Sequence, residues 1–403
     1  MAISAVAVSA PFCLPTAKAW SEPQTQQPAP PAKIPIFDHH GAPAVVKREG
    51  PEPHPTQVGG EKWDTISVDG EVLSAAPYYV GGIVARDLAV LTKKRLILAG
   101  MIDDEMQARW TSRLLAGVTP LNLAVFDTNG DGREEIFVNA WRLDGLHSMM
   151  FDKAGGKYRM LAENLPYFFS GTPGKKLFAQ KLVNGGKDLD PVVYEVQREE
   201  GDLRMDAAFT IEGKAPLGLY VVDADGDGIR ELAGVNPEGA LVIYSEKGKL
   251  LWSAEGLGVG TKKTKGASNG DDEKSQLAVP PRLVQLKDKD GGPLLAVGSS
   301  IFKSGVFLGI GDQETGYVTL IRAGAKSYSV EKVYTAYRAW IGDLVDMGGG
   351  PLGQDNLPGY IAISNEDKTS VIYLPPGQEK ENGRESSVSS GEPSRPKKDP
   401  EGP

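Results

Sequence analysis

This chain has almost none of the side chains that nucleophilic or zinc chemistry needs. Its 403 residues include four histidines and a single cysteine, Cys13. His39, His40 and His54 fall in a proline-rich stretch, so only His147 lies where the chain is apolar enough to fold. It follows Asp144-Gly-Leu and reads as a surface position at a strand-to-strand turn. Ser-His-Asp, Cys-His and histidine-ligated zinc arrangements therefore lack their parts, and no enzyme activity is expected. Long apolar runs are missing as well; none approaches the ~18 residues of a membrane-spanning helix. Helical periodicity is nearly absent. Positive charge is in deficit, with a net −9, which argues against nucleic acid or an anionic membrane as the main partner. Such a surface suits divalent cations.

What is abundant is turn chemistry. Glycine numbers 49 and proline 29 beside 40 % hydrophobic residues, the balance of a turn-rich β protein rather than a disordered chain. Two stretches are variations on one pattern. Residues 123–138 read Leu-Ala-Val-Phe-Asp-Thr-Asn-Gly-Asp-Gly-Arg-Glu-Glu-Ile-Phe-Val, and residues 219–234 read Leu-Tyr-Val-Val-Asp-Ala-Asp-Gly-Asp-Gly-Ile-Arg-Glu-Leu-Ala-Gly. Each has an apolar run, then acid or amide oxygens at loop positions 1, 3 and 5, glycine at 6 and a carboxylate at 9. Alternate residues of a tight turn point inward, so Asp127, Asn129 and Asp131, or Asp223, Asp225 and Asp227, can converge on a hard cation such as calcium. The backbone carbonyl at position 7 (Arg133 or Ile229) adds a ligand, and Glu135 or Glu231 closes the shell. An EF-hand would run to a Glu at position 12 between two helices. Here the closing carboxylate comes three residues earlier and the flanks are short β-type runs. Read blandly, each is an Asp/Asn/Gly turn joining two strands; two matches with similar flanks favour calcium (Ca2+).

The rest of the chain divides by composition. Residues 1–19 lack acids and end Thr16-Ala17-Lys18-Ala19, the small-residue pattern of a signal-peptidase site, although no Lys or Arg lies among the first ten residues. Phe12 before Cys13 is too large for a lipoprotein cleavage site. An exported protein is expected, whose mature chain has no thiol and draws its stability from packing and metal. Residues 20–60 read as a proline-rich solvated linker, and residues 376–403 as a disordered tail. The core must lie within 61–375.

That middle repeats. Weaker copies of the loop begin at Asp87, Asp288 and Asp343, and an acid-free copy runs from Phe168 to Ala179. The first acids are spaced 40, 96, 65 and 55 residues apart. Units of this length, each continuing into further short strands such as 239–246 and 249–253, point to an all-β fold, a β-propeller of six or seven four-stranded blades. A parallel β-helix would need far shorter coils. Trp110, Trp141, Trp252, Trp340, Tyr78 and Tyr79 read as staples between strands. The Lys-rich run at 261–265 with Asn269-Gly-Asp-Asp-Glu reads as a solvated insertion.

The loops, their flanks and the unit length resemble FG-GAP/VCBS repeat proteins, exported propellers that include integrin-type heads. The residues that carry the likeness are Trp63, Gly82-Ile-Val-Ala-Arg-Asp87, Phe126-Asp-Thr-Asn-Gly-Asp-Gly132 and Ala162-Glu-Asn-Leu-Pro166, and it spans about residues 63–375. The resemblance implies calcium loops at Asp127, Asn129, Asp131 and Glu135, and at Asp223, Asp225, Asp227 and Glu231. The Asp87 and Asp343 copies have lost their third- and fifth-position oxygens and read as metal-free turns, while Asp288 keeps Asp290 but no closing acid. The expected function is an exported binding or scaffold module, monomeric, with a protein or glycan partner. The alternative is a propeller enzyme acting on a polysaccharide or phospho-substrate through clustered carboxylates, although no carboxylate pair stands outside the calcium pattern.

Overall fold

The computed structural model describes residues 44–48, 64–69 and, apart from 79–86, 265–276, 304–312, 347–359 and shorter turns, 72–374. The expected signal segment 1–19 and tail 376–403 lie outside the described residues. The fold is an all-β propeller. Among the described residues no helix is long and apolar enough to cross a membrane.

Sheet I is an antiparallel meander of Val72–Tyr78, Asp87–Thr92, Arg95–Ile102 and Glu105–Arg113. Sheet II repeats the plan with Thr119–Phe126, Glu135–Arg142, Ser148–Ala154 and Lys157–Leu165, the short Gly145–Leu146 pairing at its side. Sheet III uses Phe168–Gly171, Leu177–Gln180, Val192–Glu199 and Asp202–Thr210, so the acid-free copy does open a unit. Sheet IV has nine strands. One meander, Tyr220–Val222 to Leu250–Ala254, and another, Leu283–Lys287 to Ser327–Tyr337, meet on either side of Ala44–Arg48. Sheet V joins two stretches about 300 residues apart, with Asp64–Asp69 antiparallel to Thr369–Leu374 and then Tyr360–Glu366 and Trp340–Asp346.

The expected six or seven separate blades are thus replaced, among the described residues, by five sheets of blade type. The cause is Ala44–Arg48. It pairs in parallel with Leu250–Ala254 (Ala44 opposite Trp252) and with Ser327–Tyr337 (Lys47 opposite Ser327), covering two outer edges that would otherwise be open. The same strand corrects the linker expectation, since part of 20–60 is built into a sheet. Lys262–Thr264, from the run read as a solvated insertion, also pairs, with Leu277–Val279.

Why the sheets stand face to face follows from the period-2 geometry of strands. Successive residues point to opposite faces, and here both faces are buried. Leu123 and Val125 enter one core with Leu73, Ala89 and Leu98, while Ala124 and Phe126 enter the next with Phe169, Leu177 and Val196. Val221 and Leu232 pack on Phe178 and Val193, and Val222 and Ala233 pack on Trp252, Leu295 and Ile321. Sheets II and III are therefore each sandwiched between two neighbours, and within sheet IV the two meanders pack on one another. The leading strands also touch in sequence from Val72–Tyr78 round to Trp340–Asp346, which returns to Val72–Tyr78. Tyr78, Trp141 and Trp252 are buried as staples, and Trp110 packs partly buried against Phe151 and Tyr158. The side chains of Tyr79 and Trp340 lie outside the described residues.

Neighbouring sheets are also sewn together by side-chain amides that imitate a peptide. Fully buried Asn139 donates through Nδ2 to Phe169 O (2.6 Å) and accepts from Phe169 N–H (2.6 Å). Gln180 does the same to sheet IV, donating to Pro216 O and accepting from Gly218 N–H. Replacing Asn139 with Ala should strand both backbone groups of Phe169 and lower stability by about 2 kcal/mol or more, since each buried unpaired group costs ~1–3 kcal/mol. Urea unfolding of the variant tests this; a loss below ~0.5 kcal/mol, the scale of an ordinary surface change, would mean that water replaces the amide.

Candidate metal centre

The two full loops are the turns between first and second strands, in sheet II (residues 127–134) and sheet IV (residues 223–230). Their internal wiring is the same. The position-1 carboxylate accepts from the N–H groups of positions 4 and 6: Asp127 from Gly130 and Gly132 (2.7 and 2.9 Å), Asp223 from Gly226 and Gly228 (2.7 and 3.2 Å). Position 3 accepts from the N–H of position 5, and position 5 from that of position 7. The closing Glu accepts from the N–H of position 2, Glu135 from Thr128 and Glu231 from Ala224. The glycines at positions 4 and 6 all have φ between +73° and +89°. A Cβ at Gly130, Gly132 or Gly228 would meet nothing within 4 Å, so the requirement there is conformational rather than steric.

The surroundings differ. Loop residues Asp127, Asn129 and Asp131 are exposed, and Glu135 turns its other oxygen to Arg198 of sheet III (2.9 Å), which also holds Asp152 (2.9 Å). Burial pushes the Glu135 carboxyl up, while Thr128 and Arg198 pull it down. The neutral Asn129 and the guanidinium together leave this loop with its charge partly matched by protein.

The second loop is deeper. Gln285 clamps its first residue, accepting from Asp223 N–H and donating to Asp223 O, and Asp225 is only 8 % exposed. Oxygens of Asp223, Asp225 and Asp227 lie within 4.8 Å of one another, and this is the single such carboxylate group among the described residues. Glu231 is fully buried behind them. Burial first, and then the charges of Asp225, Asp227 and Asp223, push its carboxyl up to about 8 against the Ala224 hydrogen bond. The donor set is all oxygen, anionic and crowded, so the cluster could hold a hard metal ion. Ile229 exposes its side chain by 49 %, and only its backbone can contribute.

The weaker copies are not loops of this kind. Asp343 sits inside the strand Trp340–Asp346 rather than in a turn, 3 % exposed, beside a break in register between Ile341 and Asp343. Its Oδ2 accepts from Ser74 Oγ (2.6 Å) and lies 3.3 Å from Arg282 Nη2, which also donates to Leu123 O (2.7 Å). Burial raises the Asp343 carboxyl even though Arg282 and its hydrogen bonds lower it, so desolvation outweighs pairing. Asp288 forms a turn with Gly291 and Gly292 and pairs with Arg322. Asp87 opens the second strand of sheet I opposite Tyr78, and the connection before it lies outside the described residues. His147 lies between strands and meets Asn164 (3.1 Å).

Sequence reasoning passed over Ser74, Asn139, Gln180, Arg198, Arg282 and Gln285. All act across sheets except Gln285, which ties the two meanders of sheet IV, and nothing local marks them. Buried amides next to apolar runs, as in Val-Asn139-Ala and Ala-Gln180, are the only trace they leave.

No protein-family model and no curated protein matches the chain. Its fold is similar to several solved structures. The soluble aldose sugar dehydrogenase of Escherichia coli in its apo form is 11 % identical, with 77 % of this chain and 100 % of that one covered and a TM-score of 0.36. BBS1N, solved in complex with ARL6DN, is 12 % identical over 76 % and 80 %, also at 0.36. The Dos1 propeller is 11 % identical over 76 % and 67 %, again at 0.36. At this distance the likeness concerns architecture and carries nothing about activity.

Proposed function

We propose that this protein is an exported, calcium-binding propeller of FG-GAP/VCBS type that serves as a binding or scaffold module for a protein or glycan partner. The observation that carries the reading is the convergence of Asp223, Asp225 and Asp227 in front of buried Glu231 at a strand-to-strand turn. Four acids so placed repel one another, and a divalent cation relieves that repulsion with the oxygen ligands calcium prefers. Metal then rigidifies the turn that an interface would use. Monomeric state, export and the Asp127 loop as a second calcium site belong to the same proposal.

The test is a glycan array and an affinity capture with the full chain, each run in calcium and in excess chelator, beside an Asp225→Ala protein. Retention of a discrete partner in calcium, lost in chelator and in the variant, is the expected result. Identical retention in all three arms would remove the metal from the binding function.

A further inference from the structure

We propose that a cavity at one end of sheet I binds a small phosphate ester. The cavity, of about 390 Å³, is lined by Lys93, Lys94, Arg95 and Arg113 together with Leu114, Leu115, Gly117 and Val118. No carboxylate and no histidine is among them. Such a volume falls at the small end of ligand pockets, which run ~300–1,000 Å³.

Three observations separate this place from a chance group of surface cations. Arg95 and Arg113 are direct partners across an antiparallel pair, a placement of like charges that weakens a sheet rather than helping it. Lys93 and Lys94 form the turn beside them, so four cations gather in a chain whose net charge is −9. An anion relieves that repulsion, and the planar guanidinium fork suits the paired oxygens of a phosphate. The second observation is the other wall. Leu114, Leu115 and Val118 are partly buried and packed against the core shared by sheets I and II, and Leu114 N–H bonds to Lys94 O, which holds that wall beside the basic turn. A surface that attracts only counterions has no need of an anchored apolar side; an organic phosphate does.

The third observation is position. In an antiparallel meander the first turn and the second turn lie at opposite ends of the strands. The acidic loops are first turns of sheets II and IV, whereas Lys93-Lys94 is the second turn of sheet I. The basic cavity therefore opens on the face away from the metal loops, out of their repulsive field, and is independent of the metal reading. Polymeric phosphate is disfavoured, because a nucleic acid needs a basic stripe and the overall charge opposes it.

The experiment is calorimetric titration of the full chain at low salt and without divalent metal, using inorganic phosphate, phenyl phosphate and benzyl alcohol in turn. Phenyl phosphate should bind saturably, one per chain, at least about threefold tighter than inorganic phosphate, because its ring leaves water against Leu114, Leu115 and Val118. Arg95→Ser/Arg113→Ser and, separately, Lys93→Glu/Lys94→Glu should each weaken it by at least about tenfold, the scale of one charge-assisted contact. Both pairs are exposed, and a single cooperative melting transition confirms that each variant folds. Absence of saturable binding, equal affinity for inorganic phosphate and phenyl phosphate, or affinity unchanged in both variants would each overturn the proposal. So would tight binding of a sulfated polysaccharide that phenyl phosphate does not displace.

Discussion

Asp343→Ala should destabilise the protein by about 3–5 kcal/mol, more than any other single change considered, because it leaves Arg282 charged and buried without its partner. The guanidinium side chain is 10 % exposed and the Asp343 carboxylate 4 %. Ser74 Oγ would lose the acceptor that it donates to at 2.6 Å, and Ala75 N–H the one at 3.3 Å. These residues come from Val72–Tyr78, from the approach to Leu283–Lys287 and from Trp340–Asp346, so the break falls where sheets I, IV and V meet. Burial raises the Asp343 carboxyl despite Arg282, Ser74 and the Ala75 and Leu344 N–H groups, so desolvation is the largest influence on that carboxyl. A double-mutant cycle exploits this. Arg282→Met/Asp343→Ala removes both charges and should be more stable than Asp343→Ala alone, although it still forfeits the Arg282 bond to Leu123 O. Urea unfolding of the wild type, both single variants and the double variant provides the measurement. Strict additivity of the two single losses would show that the pair is not energetically coupled.

Calcium should raise the melting temperature of the metal-stripped protein, and the second loop should account for most of the rise. The unfolded chain has no preformed site, so a metal that binds the native turn stabilises it by ~2.7 kcal/mol at a hundred times Kd. The second loop places Asp223, Asp225, Asp227 and Glu231 together, with Glu231 pushed up to about 8 by burial and by its acidic neighbours. The first has Asn129 at position 3 and shares Glu135 with Arg198. Fewer charges and a protein cation already in place both weaken it. Calcium titration of Asp131→Ala, which retains the second loop, against Asp227→Ala, which retains the first, separates them: the Asp131→Ala protein should bind more tightly. Adding Arg198→Ala to the Asp227→Ala protein should alter the affinity of the remaining loop, since Glu135 would then lack its guanidinium. Identical melting curves in calcium and in chelator would reduce both loops to ordinary turns. Tighter binding by the Asp227→Ala protein would instead place loop geometry above charge count.

Much of this was written locally. The apolar run, the acids at alternate positions, and the glycines at positions 4 and 6 determine the inner wiring of each turn, because the hydrogen bonds between its own residues span at most seven positions. Strands such as Glu135–Arg142 and Glu231–Val235 are legible for the same reason. Turn-bounded apolar runs at intervals of tens of residues likewise determine an all-β repeat, since none of them can bury its two faces alone. Tertiary structure decided the rest. Ala44–Arg48 sits in a proline-rich stretch with little pattern of its own, and only the open edges at Leu250–Ala254 and Ser327–Tyr337 make it a strand and merge two meanders into one sheet. Asp343 looks like the first acid of a decayed loop, yet the fold places it opposite Arg282 and Ser74, more than 60 and more than 260 residues away in sequence. Glu135 and Glu231 hold the same loop position, and Arg198, 63 residues on, gives Glu135 a cationic partner that no local pattern foretells. Charge and hydrogen-bond partners act through space, and neighbours in space are set by how the sheets close on one another.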